Sequence, residues 1–299
     1  MMQEKKKKVT GMTLFILRLI IQNTLDLMCL VGGILGIGFI LGAVENVANR
    51  QALRAFGKKG ILVTAWLGTP VHELSHLLMC FVFHHKVDQV KLFQFRTTDG
   101  TLGYVIHRFN PGSLYQKAGN FFIGIAPIFG GIAAIFGALD LLVPESFHAC
   151  VAIVQQAMGQ AQPNGTRLYI LVGFQTLVQM VHTLFIWKNM IHPSFWLFVY
   201  VSICIASHIS LSPSDIKGAV SGLSSLFIFL LLINGLSAIF HLNGLNLATV
   251  FLEWNLYLVG AAGLALLFSL FHLLVWGGIV GLKRILLYKG SSRYDQRFF

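Results

Sequence analysis

Two histidines stand four residues apart with a glutamate beside the first, in the run His72-Glu73-Leu74-Ser75-His76. This is the H-E-x-x-H pattern of zinc-binding helices. Because an α-helix completes one turn in about 3.6 residues, the two imidazoles leave the same face and can hold one metal ion. Glu73 lies where its carboxylate can take a proton from a water that the metal activates. The pattern therefore predicts zinc ligands at His72 and His76 and a catalytic base at Glu73.

The residues on both sides of this motif are apolar. Segments 61–67 and 77–83 contain no charged residue. An ionised group at the centre of a membrane helix costs about 2.5–3.5 kcal/mol on insertion scales, so a charged cluster there indicates function. The alternative is a pair of buried structural histidines that bond to backbone carbonyls. Three ionisable groups on one turn would all need such partners, which favours the metal-binding interpretation.

A catalytic zinc site needs a third protein ligand besides water. Asp215 is the best candidate among the acidic residues outside the motif, because it stands at the start of a long apolar segment. Ser212 and Pro213 have the residue types of an N-cap and a first helical position, so Asp215 could instead stabilise a helix dipole from the first turn. His208 is the alternative ligand, or a partner that holds Asp215.

Composition places the chain in a membrane. Its 299 residues are 56% hydrophobic and only 11% charged, with a mean hydropathy of +0.73, whereas a soluble domain carries about 25% charged residues. The basic residues behind the net charge of +11 are dispersed and mostly flank apolar segments. This fits contact with anionic lipid rather than nucleic acid. We expect a multi-pass integral membrane protein of a bacterial cell membrane; the sequence does not reveal its oligomeric state.

The predicted fold is an all-α polytopic membrane protein. It has about six membrane helices, an additional apolar helix and a small β-hairpin between the second and third spans. One membrane-embedded domain covers 1–299, with a core at about 60–240 and a basic soluble tail at 283–299. Thr69 as a cap and Pro70 in a first turn predict that the motif opens a helix after a break at membrane depth. The predicted apolar segments are 12–44, 60–85, 117–141, 167–190, 194–209, 220–241 and 250–282. A basic connection is predicted at 45–59, after the first of them.

The hairpin is predicted within an insertion at 86–116. Residues 87–96 alternate partly between apolar and polar types, Thr98-Asp99-Gly100 has the composition of a turn, and an apolar run at 101–107 follows. An exposed edge strand can pair with an extended peptide, which would give a hairpin between two membrane spans a function. A simple extramembrane hairpin is the equal alternative.

Three parts of the chain together resemble the site-2 protease family of intramembrane zinc metalloproteases. They are residues 68–76 with the motif, the hairpin at 87–107 leading into the glycine-rich span at 119–127, and residues 212–218, which are similar to the family's Asp-Gly ligand motif. The resemblance covers roughly residues 60–240. It departs at Asp215, which the family follows directly with glycine and this chain follows with Ile216-Lys217.

This resemblance implies a zinc endopeptidase that cleaves a membrane-anchored protein within or near the bilayer. It also suggests Asn120 as the match for a family asparagine that helps to hold substrate. Three rivals remain: a membrane metal-ion transporter, a non-catalytic metal-binding scaffold, and the other membrane zincin class, whose third ligand is a downstream glutamate. Glu253 is the only glutamate associated with a later span.

Overall fold

The computed structural model describes residues 2–95, 100–160, 166–240 and 247–295. The described chain is mainly helical, with one two-stranded antiparallel sheet. Its elements in chain order are α1 (Met2–Phe56), α2 (Lys58–Val82), β1 (Lys86–Lys91), β2 (Tyr104–Arg108), α3 (Leu114–Leu142), α4 (Pro144–Gln160), α5 (Thr166–Leu184), α6 (Trp187–Met190), α7 (Pro193–Ala206), α8 (Pro213–Ile239) and α9 (Leu247–Asp295).

Within the described residues, four helical segments are long and apolar enough to cross a membrane. They are Met12–Phe56, Leu114–Leu142, Pro213–Ile239 and Gly260–Leu286. The chain is therefore a membrane protein, as its composition predicts. The expected total of about six spans is not reached among these residues, because α7 has only 14 residues and the polar motif lowers the hydropathy of α2.

Two local predictions about the first helices are wrong. α1 is continuous to Phe56, so most of the expected connection at 45–59 is helical, and only Gly57 separates α1 from α2. Gly57 has φ +61°, a conformation that glycine adopts without a steric penalty. α2 also runs unbroken through Pro70, so the motif lies inside a helix rather than at its start. α2 packs against both α3 and α7, and this packing outweighs the one backbone hydrogen bond that proline removes.

The predicted hairpin is confirmed as an antiparallel pair of strands. Lys86 pairs with Arg108 and Lys91 with Tyr104, and the register shifts between Val87 and Gln89. Most of the predicted turn, residues 98–99, lies outside the described residues. Both strands pack against α2, so the hairpin lies beside the helix that carries the motif.

The helices pack around α3, which contacts α2, α7 and α8, while α1 lies along α9, α2 and α8. A buried polar contact joins α1 to α8: the amide of Asn234 donates to Asp26 at 2.7 Å and to Asn23 at 3.1 Å. Asn23 and Asp26 of α1 therefore face the protein interior. At the other end of the chain, α9 continues as a helix through residues 283–295 of the predicted tail.

Candidate metal centre

Three predicted side chains converge at one point between α2 and α8. Nε2 of His72 lies 3.1 Å from Nε2 of His76. Nε2 of His72 lies 3.4 Å from Oδ2 of Asp215, and Nε2 of His76 lies 3.2 Å from Oδ1 of the same carboxylate. Among the described residues, these three form the group of His, Cys, Asp or Glu side chains whose spacing could hold a metal ion.

Backbone carbonyls fix the orientation of both imidazoles. Nδ1 of His72 donates to the carbonyl oxygen of His208 at 2.7 Å, and Nδ1 of His76 donates to that of Ile123 at 2.8 Å. A carbonyl oxygen only accepts, so Nδ1 carries the proton and Nε2 of each neutral ring presents a lone pair. Both histidines therefore bond to backbone carbonyls, as the structural alternative to metal binding predicts. These bonds use Nδ1, so both Nε2 atoms are still potential metal ligands.

The spacing of the two imidazole nitrogens and the carboxylate oxygens fits a small cation. Zinc–nitrogen distances of about 2.0–2.1 Å in a tetrahedral site place neighbouring ligand atoms about 3.3–3.4 Å apart. The two imidazole nitrogens lie 3.1 Å apart, and each lies 3.2–3.4 Å from a different oxygen of the Asp215 carboxylate. Lone-pair atoms this close repel one another, and a shared cation would remove that repulsion. Other divalent metals take imidazole and carboxylate ligands as well, so the geometry alone does not select zinc.

The start of α8 positions Asp215. Ser212 is the N-cap, and its hydroxyl accepts a hydrogen bond from the backbone N–H of Asp215 at 3.2 Å. Oδ2 of Asp215 accepts in turn from the backbone N–H of Ser212 at 2.7 Å, which completes a capping box. The Asp215 carboxylate therefore completes the cap of α8 and also lies beside both histidines, where it could bind a metal.

A close approach of α3 to α8 supports this arrangement. A Cβ atom built on Gly124 would lie 2.5 Å from the backbone oxygen of Asp215 and 2.7 Å from the nitrogen of Ala219. Any larger residue at 124 would push the start of α8 away. Glycine at this position therefore lets α3 lie directly against the turn that holds the carboxylate.

Glu73 follows His72 on α2 and is buried, with 8% of its surface exposed. The chain leading into β2 passes directly over it: a Cβ on Gly103 would lie 2.7 Å from Cγ of Glu73 and 2.8 Å from Cγ2 of Thr69. Gly103 thus allows the hairpin backbone to lie against the predicted base.

Two cavities meet at the centre, and His72, Glu73 and Gly103 line both of them. The larger, of about 790 Å³, opens along α1 and includes apolar residues of that helix such as Leu35 and Phe39. The smaller, of about 390 Å³, lies between β2, α3 and α8. The smaller cavity is also lined by His76 and Asp215, so all three converging side chains border it.

The remaining sequence candidates occupy different positions. The ring of His208 is outside the three-residue group; its Nε2 lies 3.2 Å from the hydroxyl of Thr64, and its backbone carbonyl holds His72 rather than Asp215. This follows from the end of α7 at Ala206, after which the backbone turns its carbonyl toward α2. Asn120 is buried on α3 and lines the smaller cavity. The side chain of Glu253 lies outside the part of the structure that is described.

A histidine pair near the centre was not predicted. His85, after α2, and His107, on β2, join their Nδ1 atoms at 3.0 Å. Burial lowers the pKa of both rings, and the repulsion of His85 and His76 lowers that of His107 further. The sequence does show a histidine at each end of the hairpin. Contact between the two histidines depends on the register of the two strands, which composition does not give.

Comparisons of the chain with protein-family models, with curated proteins and with solved structures gave no match. Its function is therefore inferred from the residues of the site.

Proposed function

We propose that this protein is a zinc-dependent intramembrane endopeptidase of the site-2 protease type, a multi-pass protein of a bacterial cell membrane. One observation carries the proposal: the Nε2 atoms of two carbonyl-oriented imidazoles lie 3.1 Å apart, and each lies 3.2–3.4 Å from an oxygen of the capped Asp215 carboxylate. A glutamate adjoins them in the order of the H-E-x-x-H motif. The placement of this group beside helices of membrane-spanning length supports a substrate that is itself anchored in the bilayer.

In this proposal His72, His76 and Asp215 hold the zinc ion. Zinc in such a site supplies a Lewis acid for the scissile carbonyl and lowers the pKa of a bound water. Glu73 takes the proton from the attacking water and returns it to the leaving amine. The carbonyls of His208 and Ile123 keep both imidazoles in one tautomer throughout, so their Nε2 atoms stay directed at the same point.

The hairpin and the two cavities suggest how a substrate would reach this point. A peptide must be extended before its carbonyl can approach a buried centre, and the backbone leading into β2 lies against Glu73. The larger cavity borders α1, whose apolar side chains suit a segment that arrives from lipid. We therefore propose that a membrane-anchored protein unwinds locally and lies beside residues 101–104.

The test compares Glu73→Gln with wild type, using purified protein in proteoliposomes and a membrane-anchored reporter protein. Glutamine keeps the size of the side chain but cannot take a proton, so metal content should remain unchanged while cleavage falls by at least about 100-fold. Cleavage at the wild-type rate would refute the role of Glu73. Loss of metal in the same variant would show that Glu73 is a ligand instead.

Two buried ionisable side chains away from the centre favour a second candidate, a membrane metal-ion transporter. Asp26 on α1 is fully buried and His272 on α9 is 4% exposed, and such residues often mark ion paths. Metal flux into vesicles that contain purified protein would support this candidate, and flux no greater than in protein-free vesicles would eliminate it.

A further inference from the structure

His107 lines the smaller cavity, next to the proposed metal centre. The cavity is lined by His107 and Tyr104 from the hairpin, by His72 and His76 from α2 and by Asp215 from α8. His107 does not belong to the group of side chains whose ligand atoms lie within 4.8 Å of one another. His107 is therefore not one of the clustered candidate metal ligands, and a role in the cavity is open to it.

The hydrogen bonds of the pair determine which nitrogen of His107 carries its proton. Nε2 of His85 lies 2.8 Å from the carbonyl oxygen of Gln116, which can only accept, so this nitrogen carries a proton. In neutral His85 the other nitrogen, Nδ1, is then an acceptor. His107 must donate to it from its own Nδ1 at 3.0 Å. Nε2 of a neutral His107 is therefore left with a lone pair.

This lone pair is available to a ligand. Within the described part of the chain, Nε2 of His107 has no hydrogen-bond partner, and it is not one of the buried unpartnered atoms, so it remains accessible. Burial and the two nearby histidines lower the pKa of His107, which favours the neutral ring on which the tautomer depends. A neutral acceptor beside a cation-binding group also avoids the repulsion that an imidazolium would cause.

We propose that His107 is a positioning residue that accepts, through Nε2, a hydrogen bond from a backbone N–H of the peptide substrate. This rests on the proposed peptidase function. Peptide N–H groups are the donors that an extended substrate necessarily brings to the cavity. His85 acts through His107, because its bond to Gln116 sets the tautomer that makes Nε2 an acceptor.

The test uses two metal-chelating probes on zinc-loaded, full-length protein in detergent. Acetohydroxamate reports on the metal alone, whereas an N-acylated dipeptidyl hydroxamate also fills the cavity. His107→Phe removes the acceptor and retains an aromatic ring, and His107→Gln can restore an acceptor near the position of Nε2. We expect His107→Phe to weaken the dipeptidyl probe about 5- to 10-fold, the loss expected for one hydrogen bond. Binding of acetohydroxamate should not change, and His107→Gln should recover most of the loss.

A third probe separates positioning from a structural effect. The same dipeptidyl hydroxamate with its backbone nitrogens methylated has lost its N–H donors, so wild type and His107→Phe should bind it equally. An equal loss for the methylated and parent probes, or no loss for the parent probe, would overturn the role of His107 while leaving the metal centre intact. Failure of acetohydroxamate to bind wild type would instead remove the proposed function, and this inference with it.

Discussion

Asp215 combines a helix cap and a proposed metal ligand, and two substitutions separate these functions. Asp215→Asn retains an oxygen that can accept from the backbone N–H of Ser212 but loses the anionic ligand. Ser212→Ala removes the hydroxyl of the capping box and leaves the carboxylate in place. It should cost about 1 kcal/mol of folding free energy, the usual effect of losing an N-cap. Asp215→Asn should mainly reduce affinity for the metal.

The expected sizes follow from binding linkage. At a free zinc concentration 100 times the wild-type dissociation constant, a bound ion stabilises the fold by about 2.7 kcal/mol. Removing a group that only orients a ligand weakens metal binding roughly 10- to 100-fold, so loss of a ligand should weaken it by at least about 100-fold. At the same zinc concentration the stabilisation of Asp215→Asn should then be no more than about 0.4 kcal/mol. For Ser212→Ala, the free energy of unfolding should still be about 2.7 kcal/mol higher in zinc than in chelator. Its value in chelator should be lower than that of wild type.

The assay is the free energy of unfolding of each variant in detergent, measured at that zinc concentration and again in excess chelator. Metal content after dialysis provides an independent check. If Asp215→Asn is stabilised by zinc as strongly as wild type, Asp215 is a helix cap and not a ligand. If Ser212→Ala loses the zinc effect to the same degree, the fold of α8 rather than the carboxylate controls the site.

Two further predictions follow from the packing and from the histidine pair. Gly124→Ala should lower the free energy of unfolding by about 1–3 kcal/mol and weaken metal binding, because its Cβ would press on the backbone of Asp215. The matched control is Gly137→Ala on the same helix, where a Cβ would have nothing within 4 Å, and this variant should be neutral or stabilising. Equal effects at both sites would contradict the packing argument. Because the pKa values of His85 and His107 are lower in the folded protein than in the unfolded chain, the unfolded chain binds more protons. The stability of the hairpin should therefore be complete above the ordinary pKa of 6.5 and decline as the pH falls through the lower folded values. Hydrogen exchange of the β1 and β2 amides, corrected for intrinsic rates, should show decreasing protection from pH 7 to pH 5, and increasing protection would refute this sign.

Parts of the site that depend on local sequence were predictable. The spacing of His72 and His76 fixes a common helix face, and Ser212-Pro213 identifies the start of α8 with Asp215 in its first turn. Both are properties of a single turn, and the structure reproduces them. The hairpin was also predictable, because alternation and turn composition are local.

Features that depend on tertiary packing were not predictable. The carbonyl of His208 faces His72 because of where α7 ends and how it packs on α2. The pairing of His85 with His107 depends on a strand register that includes an irregularity after Val87. Pro70 suggests a break when only local propensity is considered, yet packing on two sides keeps α2 continuous.

The most direct test of the proposed centre is X-ray absorption at the zinc edge, on protein purified without chelator. The first coordination shell should contain two imidazole nitrogens at about 2.0–2.1 Å and a carboxylate oxygen at about 2.0–2.2 Å. In His76→Ala one imidazole contribution should disappear. A protein that binds no metal, or a shell with sulfur at about 2.3 Å, would contradict a site formed by His72, His76 and Asp215.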